Sequence, residues 1–352
     1  MDWGRPFEAS YRFMSVSRDG NETGQVDGIT GGTLTVNQDS AVYESADLDS
    51  AMRFDLGNDR LRCYLDATQD GVTESVCLGT WDVSIPSRSI NGLIDRCPVY
   101  CDGLLGELQG DSFEAPVTVP AGSNIVSYAK GICEGIGLSV NATESDSALG
   151  TPWVFGLDGE DGGSKLKALN SLLSLAGYSS ASTDPMGNVV LKPYQNPTDR
   201  NPVWTFEEGP TATFLIEAEE ERDTRDVANV VLAIYESDGE TTIGSAVDDD
   251  PSSPYSIQSR GYRKSAKYTY KDTATQAQAD ARAAELLSTA QSVIHRLTLK
   301  HVHCPAKVGD VVRVVWPSKD INATFTIRTQ KVEIGSAGCL TTSELRRFER
   351  RS

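Results

Sequence analysis

No stretch of the sequence approaches the ~18 consecutive apolar residues of a membrane-spanning helix. The first ten residues, MDWGRPFEAS, also lack the basic-then-apolar order of a secretion signal. The expectation is a protein made and kept in the cytosol until it assembles. Histidine is scarce, with three in 352 residues, which leaves little material for a metal centre. None of the patterns GxSxG, HExxH or GxxxxGK(S/T) occurs, so a nucleophile elbow, a zinc-protease helix and a phosphate cradle are all missing. Positive charge is short as well. The 32 Lys and Arg face 50 Asp and Glu for a net charge of -18, and a duplex-wrapping role would have to overcome that field. Walls of the same sign as DNA would instead discourage a passing polyanion from sticking.

What is present suits a folded globular chain. Hydrophobic residues make up 39% and charged residues 23%, which excludes disorder or a coiled-coil rod. The length allows two or three domains with cores of their own. Seven cysteines, Cys63, Cys77, Cys97, Cys101, Cys133, Cys304 and Cys339, are odd in number and scattered, unlike a secreted disulfide scaffold, and read as reduced, buried thiols.

Residues 1–112 read as antiparallel β. Residues 11–16 alternate, Asp19-Gly20 marks a hairpin turn, and residues 60–65 (RLRCYL) and 76–83 (VCLGTWDV) alternate around a second turn signal at Asp70-Gly71. Residues 113–200 change texture. A helix is expected from Ser123 as N-cap to Gly137, carrying Ile125, Val126, Ala129, Ile132, Cys133 and Ile136 on one face. A second runs from Ser164 to Gly177 with a Leu166, Leu169, Leu172, Leu173, Ala176 stripe, and a hairpin follows at residues 184–191 with its turn at Pro185 to Gly187. Strands return at residues 201–235, with residues 227–235 the longest run, and again over 295–345. Between them, residues 236–294 read as an insertion with an Ala-rich helix over 273–292, its buried side predicted as Ala274, Ala277, Ala281, Ala284 and Leu287. Residues 346–352 form a basic tail. The fold class is therefore mainly β with α+β insertions: two small antiparallel β-barrels, a small α+β module and a helix-containing insertion.

The two β regions echo each other. Gly57-Asn58-Asp59-Arg60-Leu61-Arg62 and Gly309-Asp310-Val311-Val312-Arg313 each give a turn, an Asp and a strand with a central Arg, and each is followed by a second strand, at 76–83 and 325–332. Either the chain contains two related barrels or two hairpins resemble each other by chance.

The closing pattern of SRGYR at 259–263, the Ala-rich helix, HCPAKVGDVV at 303–312 and a final hairpin resembles phage baseplate hub and tail-tip proteins, including the N-terminal portion of siphophage tail-associated lysins. The Gly-ended helices around 120–137 and 164–177, followed by Lys192-Pro193-Tyr194, fit the middle of that family. The resemblance implies a homotrimer whose subunits each contribute two similar barrels to a pseudo-sixfold ring around a DNA channel at a virion tail tip. Its implied partners are a distal tail or tail tube protein, the tape-measure protein, and tip, spike or receptor-binding proteins. It implies no cofactor, no sequence-specific nucleic-acid binding and no enzyme activity. The expected end of the chain at Ser352 leaves out the peptidoglycan-cleaving domain of the lysin-bearing members. A cell-wall hydrolase or wall-binding protein is the alternative from another class.

Several side-chain groups invite a chemical reading. His301 and His303 share one face of an expected strand with Cys304 adjoining, and could form a metal site if a distant carboxylate or thiol completed it, but no second ligand pair has zinc spacing and a simple strand end before Pro305 is the favoured reading. Cys97 and Cys101 are not a CxxC pair and read as packed thiols. Glu217, Glu219, Glu220, Glu221 and Asp223 form a run, which reads as a solvated or interface-facing edge in place of a convergent catalytic pair. DGEDGG at 158–163 has calcium-like composition without the closing Glu of a twelve-residue loop, and reads as a turn into Ser164. Gly103-Leu104-Leu105-Gly106 belongs to an apolar helical segment. No catalytic, cofactor-binding or metal residue is assigned. The hairpins at Asp19-Gly20 and Asp238-Gly239 are the expected ring contacts.

Overall fold

The computed structural model describes residues 1–85, 87–91, 94–157, 163–223, 225, 227–237, 240–270, 275–290, 293–335 and 339–349. Strands take up 48% and helices 15% of the chain, which makes the fold mainly β. The chain forms two compact units, Met1–Glu217 with Leu299–Glu344, and Ala218–Thr298 with Leu345–Ser352.

The larger unit is organised by strands β1 (Glu8–Val16), β2 (Ile29–Asn37), β3 (Glu44–Ser50), β4 (Arg60–Gln69), β5 (Val72–Ser84) and β6 (Ile94–Gly103), and later by β7 (Trp204–Glu207), β8 (Phe214–Asp223), β9 (Val293–Val302), β10 (Val311–Trp316), β11 (Ile321–Ile334) and β12 (Leu340–Glu349). Strands β8, β9 and β12 run on into the smaller unit. The first set follows the order β2-β3-β6-β5-β4-β1 across the sheet. Alternation places Leu34, Ala46, Leu48, Leu61, Cys63, Trp81, Val99 and Cys101 on one face, where they meet Phe13. Phe13 on β1 and Leu34 on β2 come from opposite ends of that order, so the sheet curls until its ends share a core. In the second set Phe206 of β7 and Phe214 of β8, again from opposite ends, bring their rings to 6.2 Å. Each barrel thus closes through side chains. The barrels are not separate, because residues 329–334 of β11 pair antiparallel with residues 32–37 of β2 and merge both sets into one fourteen-stranded sheet.

Turn chemistry accounts for the hairpins. Asp70 and Gly71 both take positive φ, 51° and 80°, the two-residue turn that joins β4 to β5 without splaying them. The second hairpin turns through Pro317–Lys319 and Asp320 at φ 55°.

The α+β module packs helices Ile125–Glu134 and Lys165–Leu175 against a small sheet, with Leu105 and Leu108 of helix Leu105–Gly110 and its N-cap residue Leu104 in the same core. The GLLG segment, expected as helical, is split: Gly103 ends β6, Leu104 caps the helix, and Leu105 and Gly106 begin it. The N-cap of the first helix is Asn124, one residue beyond the expected Ser123. The Asn124 Oδ1 accepts from the Ser127 N–H, and its Nδ2 donates to the Ser145 carbonyl. Ser164 sits at the second N-cap position without bonding the helix; its hydroxyl turns to the Leu108 carbonyl. The turn at 184–188 forms as expected, with Gly187 at φ 89° and Asp184 accepting from the Asn188 N–H.

In the smaller unit, strand Val230–Ser237 pairs antiparallel with Glu240–Val247 and parallel with Ser265–Tyr270. The run at 227–235, expected within the second barrel, belongs here, since both sides of the strand are taken by this three-stranded sheet. Helix Gln276–Ala290 covers it with Ala279 and Ala283 buried, whereas Ala277, Ala281 and Ala284 are exposed. The predicted face was wrong because alanines occur on every side of this helix, so their spacing cannot select one. The selection comes from Gly244, where an added Cβ would lie 2.0 Å from the Ala279 backbone. Residues 346–349, expected as a tail, extend β12, and Leu345 is fully buried. Among the described residues no helix is long and apolar enough to cross a membrane.

Candidate functional site

The two barrels correspond strand for strand. Read along the chain, β1 to β6 match β7 to β12, and the order across the sheet, β8-β9-β12-β11-β10-β7, repeats that of the first set. The hairpin echo in the sequence is the visible part of this repeat. With Asp59 set on Asp310, Leu61 and Val312 are buried in both copies, and their cross-strand partners, Trp81 and Phe325, are both large and fully buried. The copies differ at the first strand, antiparallel to β4 in one barrel and parallel to β10 in the other. They differ also at the central arginine. Arg62 is 2% exposed, donating to Thr80 Oγ1 (2.9 Å) and the Met186 carbonyl (2.9 Å), while Arg313 is exposed and bonds Asn322.

The groups singled out in the sequence fall apart spatially. His301 is buried in the second barrel, between the Val302 carbonyl (2.7 Å) and Ser343 Oγ (2.8 Å), with Phe206 at 4.8 Å. The His303 ring instead stacks edge-on with Trp3 at 5.2 Å. Burial pulls both imidazoles down to about 4, which keeps them neutral at physiological pH. The Cys304 thiol is 4.0 Å from His301 Nδ1, yet no cluster of three or more His, Cys, Asp or Glu forms among the described residues. Cys97 and Cys101 are free thiols on the inward face of β6, flanking Val99. In the acidic run, Glu220 reaches His295 at 2.8 Å and Glu221 reaches Arg296 at 2.9 Å, while Glu217 and Glu219 are exposed on β8. Gly20, at φ 85°, turns β1 into strand Glu22–Gln25. Asp238-Gly239 and residues 158–162 lie outside the described residues.

Two polar sites escaped the sequence reading. Asp82 on β5 and Glu107 on helix Leu105–Gly110 are carboxylates brought together by the fold. Burial, then Glu107 itself, push Asp82 up to about 6, while Arg60 and Arg18 pair with Glu107. Glu44 on β3 is 6% exposed, and burial lifts it to about 8. No spacing rule could find these, since each joins residues from distant strands. The open groove of about 410 Å³, lined by Ser15, Thr23, Asp27, Met52, Phe54 and Asp55 among others, includes none of the three carboxylates.

No protein-family model and no curated protein matches the sequence. Solved structures do match the fold. A tail protein from Neisseria meningitidis MC58 aligns with TM-score 0.66 at 18% identity over 96% of both chains. A prophage tail protein from Shewanella oneidensis gives 0.63 at 13% identity, covering 95% of this chain and 97% of that one. A prophage tail protein from Listeria monocytogenes EGD-e gives 0.54 at 12% over 97% and 96%. A chain of the Francisella PdpA-VgrG complex scores 0.58 at 7% identity, and there this chain spans 58% of the other's length. Matched almost end to end by three tail proteins, with its barrels duplicated in strand order, the chain has the fold of phage-type tail proteins.

Proposed function

We propose that this chain is a structural hub subunit of a phage-type tail tip, three copies of which form a ring with approximate sixfold symmetry. The observation that carries this reading is the repeated six-strand order. A chain holding two equivalent barrels presents two near-equivalent docking faces, so three copies offer six to a sixfold tube. The full-length match to tail proteins supports the setting, a virion tail. In that setting the ring joins the tail tube or distal tail protein to tip, spike or receptor-binding proteins, and seats the tape-measure protein. The net charge of -18 suits a wall past which DNA slides without binding.

The hydrolase alternative needs an acid and a nucleophile converging on a cleft. Asp82 and Glu107 converge on each other and on arginines, and the described groove lies elsewhere. That arrangement is an internal ion-pair network, and no observation favours lytic chemistry.

Light scattering over a concentration series, with electron-microscope class averages of the same sample, tests the proposal. The expected result is a mass three times that of the 38.0 kDa chain and a ring with a central hole. A strict monomer that clears cell-wall suspensions overturns it.

A further inference from the structure

Inside the chain the two barrels are joined by one strand pairing. The distal half of β11, residues 329–334, adds to the edge strand β2 over residues 32–37. Because β2 has neighbours on both sides, Leu34 is 2% exposed. The equivalent strand in the second barrel is β8. Among the described residues it ends the sheet, with β9 as its neighbour in the strand order, and its Leu215 and Ile216 are 43% and 86% exposed. Phe214, one place earlier on Ile216's own face, is 8% exposed. The apolar row of β8 therefore passes from the core to an exposed edge within the strand's first three residues.

Residues 329–334 lie four to nine places beyond Phe325, and the same count from its counterpart Trp81 lands on residues 85–90, which include Arg88, Ser89 and Ile90. Among the described residues, strand Ser89–Asn91 pairs with β6 and with no other strand. Ile90 is 67% exposed. Among the described residues the chain therefore uses one joint internally and leaves both halves of the same joint open, one on each barrel.

Resting on the ring reading above, we propose that strand Ser89–Asn91 of one copy pairs with the start of β8, Leu215 to Glu217, of the next copy, repeating between chains the β11–β2 joint within each chain. Backbone hydrogen bonds supply the pairing, as in any strand addition to an open edge. Ile90 and Ile216 supply apolar area, while Arg88 is already paired with Asp95 of its own chain (2.9 Å). Because each copy gives one edge and receives on the other, the contact is head-to-tail, the type that forms a ring when its rotation closes.

The test is a short bismaleimide applied to Ile90→Cys and Ile216→Cys, alone and together, with wild type carrying its seven native thiols as control. Both positions are exposed, so the fold tolerates the change. The double variant is expected to give a covalent ladder ending at the mass of the whole ring. Co-expressed single variants give covalent pairs and nothing larger, and each single variant alone gives none. A wild-type ring with no cross-linking in the double variant overturns this joint and leaves the ring reading standing. Efficient cross-linking of Ile216→Cys to itself also overturns it, since the contact is then two-fold. A wild-type monomer at every concentration overturns both.

Discussion

The β4–β5 and β10–β11 hairpins are built alike and sealed differently. Both open on a positive-φ glycine, Gly57 or Gly309, both place an Asp before the strand, and both bury a large aromatic opposite the second strand residue. In the first, the turn at 184–188 of the α+β module closes over Arg62, taking hydrogen bonds from Arg62 and Thr80 to the Met186 and Pro185 carbonyls. In the second, the matching Arg313 stays in solvent. One residue type at one position of a repeated frame is a structural clamp in one copy and a surface charge in the other. Sequence identity at a repeat position does not carry the role with it; the third body packed on it does.

The largest expected effect separates those two arginines. Arg62→Ala removes the buried donor to the Met186 carbonyl and Thr80 Oγ1 and empties the space its side chain fills, and is expected to cost about 3 kcal/mol, while Arg313→Ala stays within about 0.5 kcal/mol. Urea midpoints of the two variants read the difference directly.

The barrels should next diverge with pH. In the first, the folded Glu44 carboxyl sits at about 8 against an ordinary 4.5, through burial and with Asp184 nearby, although a bond from Thr183 works the other way. The folded state holds that proton more tightly, so stability falls as pH rises from about 4.5 to 8. In the second, His301 at about 4 against 6.5 favours the neutral folded form, and stability falls as pH drops from 6.5 to 4, by up to about 3 kcal/mol. Glu44→Gln should reduce the slope of the upper limb, and His301→Gln should reduce that of the lower one, leaving the His303 share, in unfolding series across pH.

Gly79 and its counterpart Ala323 give a smaller contrast. A Cβ at Gly79 would fall 2.2 Å from the Trp81 ring, so Gly79→Ala is expected to cost roughly 1–3 kcal/mol, with a changed Trp fluorescence maximum. Smallest and symmetric are the turns. Asp70→Ala and Asp320→Ala, both at positive φ, should each cost about 1 kcal/mol; unequal losses in thermal melts would show that the turns are not equivalent.

These residues also mark how far the sequence could be read. The hairpin turns, the paired helices of the module and the echo itself were visible because short-range chemistry sets them: Asp-Gly turns, Gly-stopped helices, alternation. Strand β3 was not, because its inward residues are Glu44, Ala46, Leu48 and Ser50, a row with a single large apolar side chain. Strand β6 hides behind Pro98 and two thiols, and β12 behind arginines that looked like a tail. The free edges of the candidate site were invisible for a different reason. An edge is defined by the neighbour it lacks, and neighbours here come from the far end of the chain.

That distance has a cost in time. Thr329 and Asn37, 292 residues apart, meet across the β11–β2 joint. At about 5–20 residues per second of synthesis, β2 waits many seconds on the ribosome for the strand that will cover it, and closing so long a loop is slow even afterwards. During that wait a nascent chain shows its β2 edge bare, resembling the β8 edge of a finished one. Under the proposed joint, completed subunits would mistake an unfinished chain for a neighbour, and synthesis rate would become a determinant of assembly fidelity.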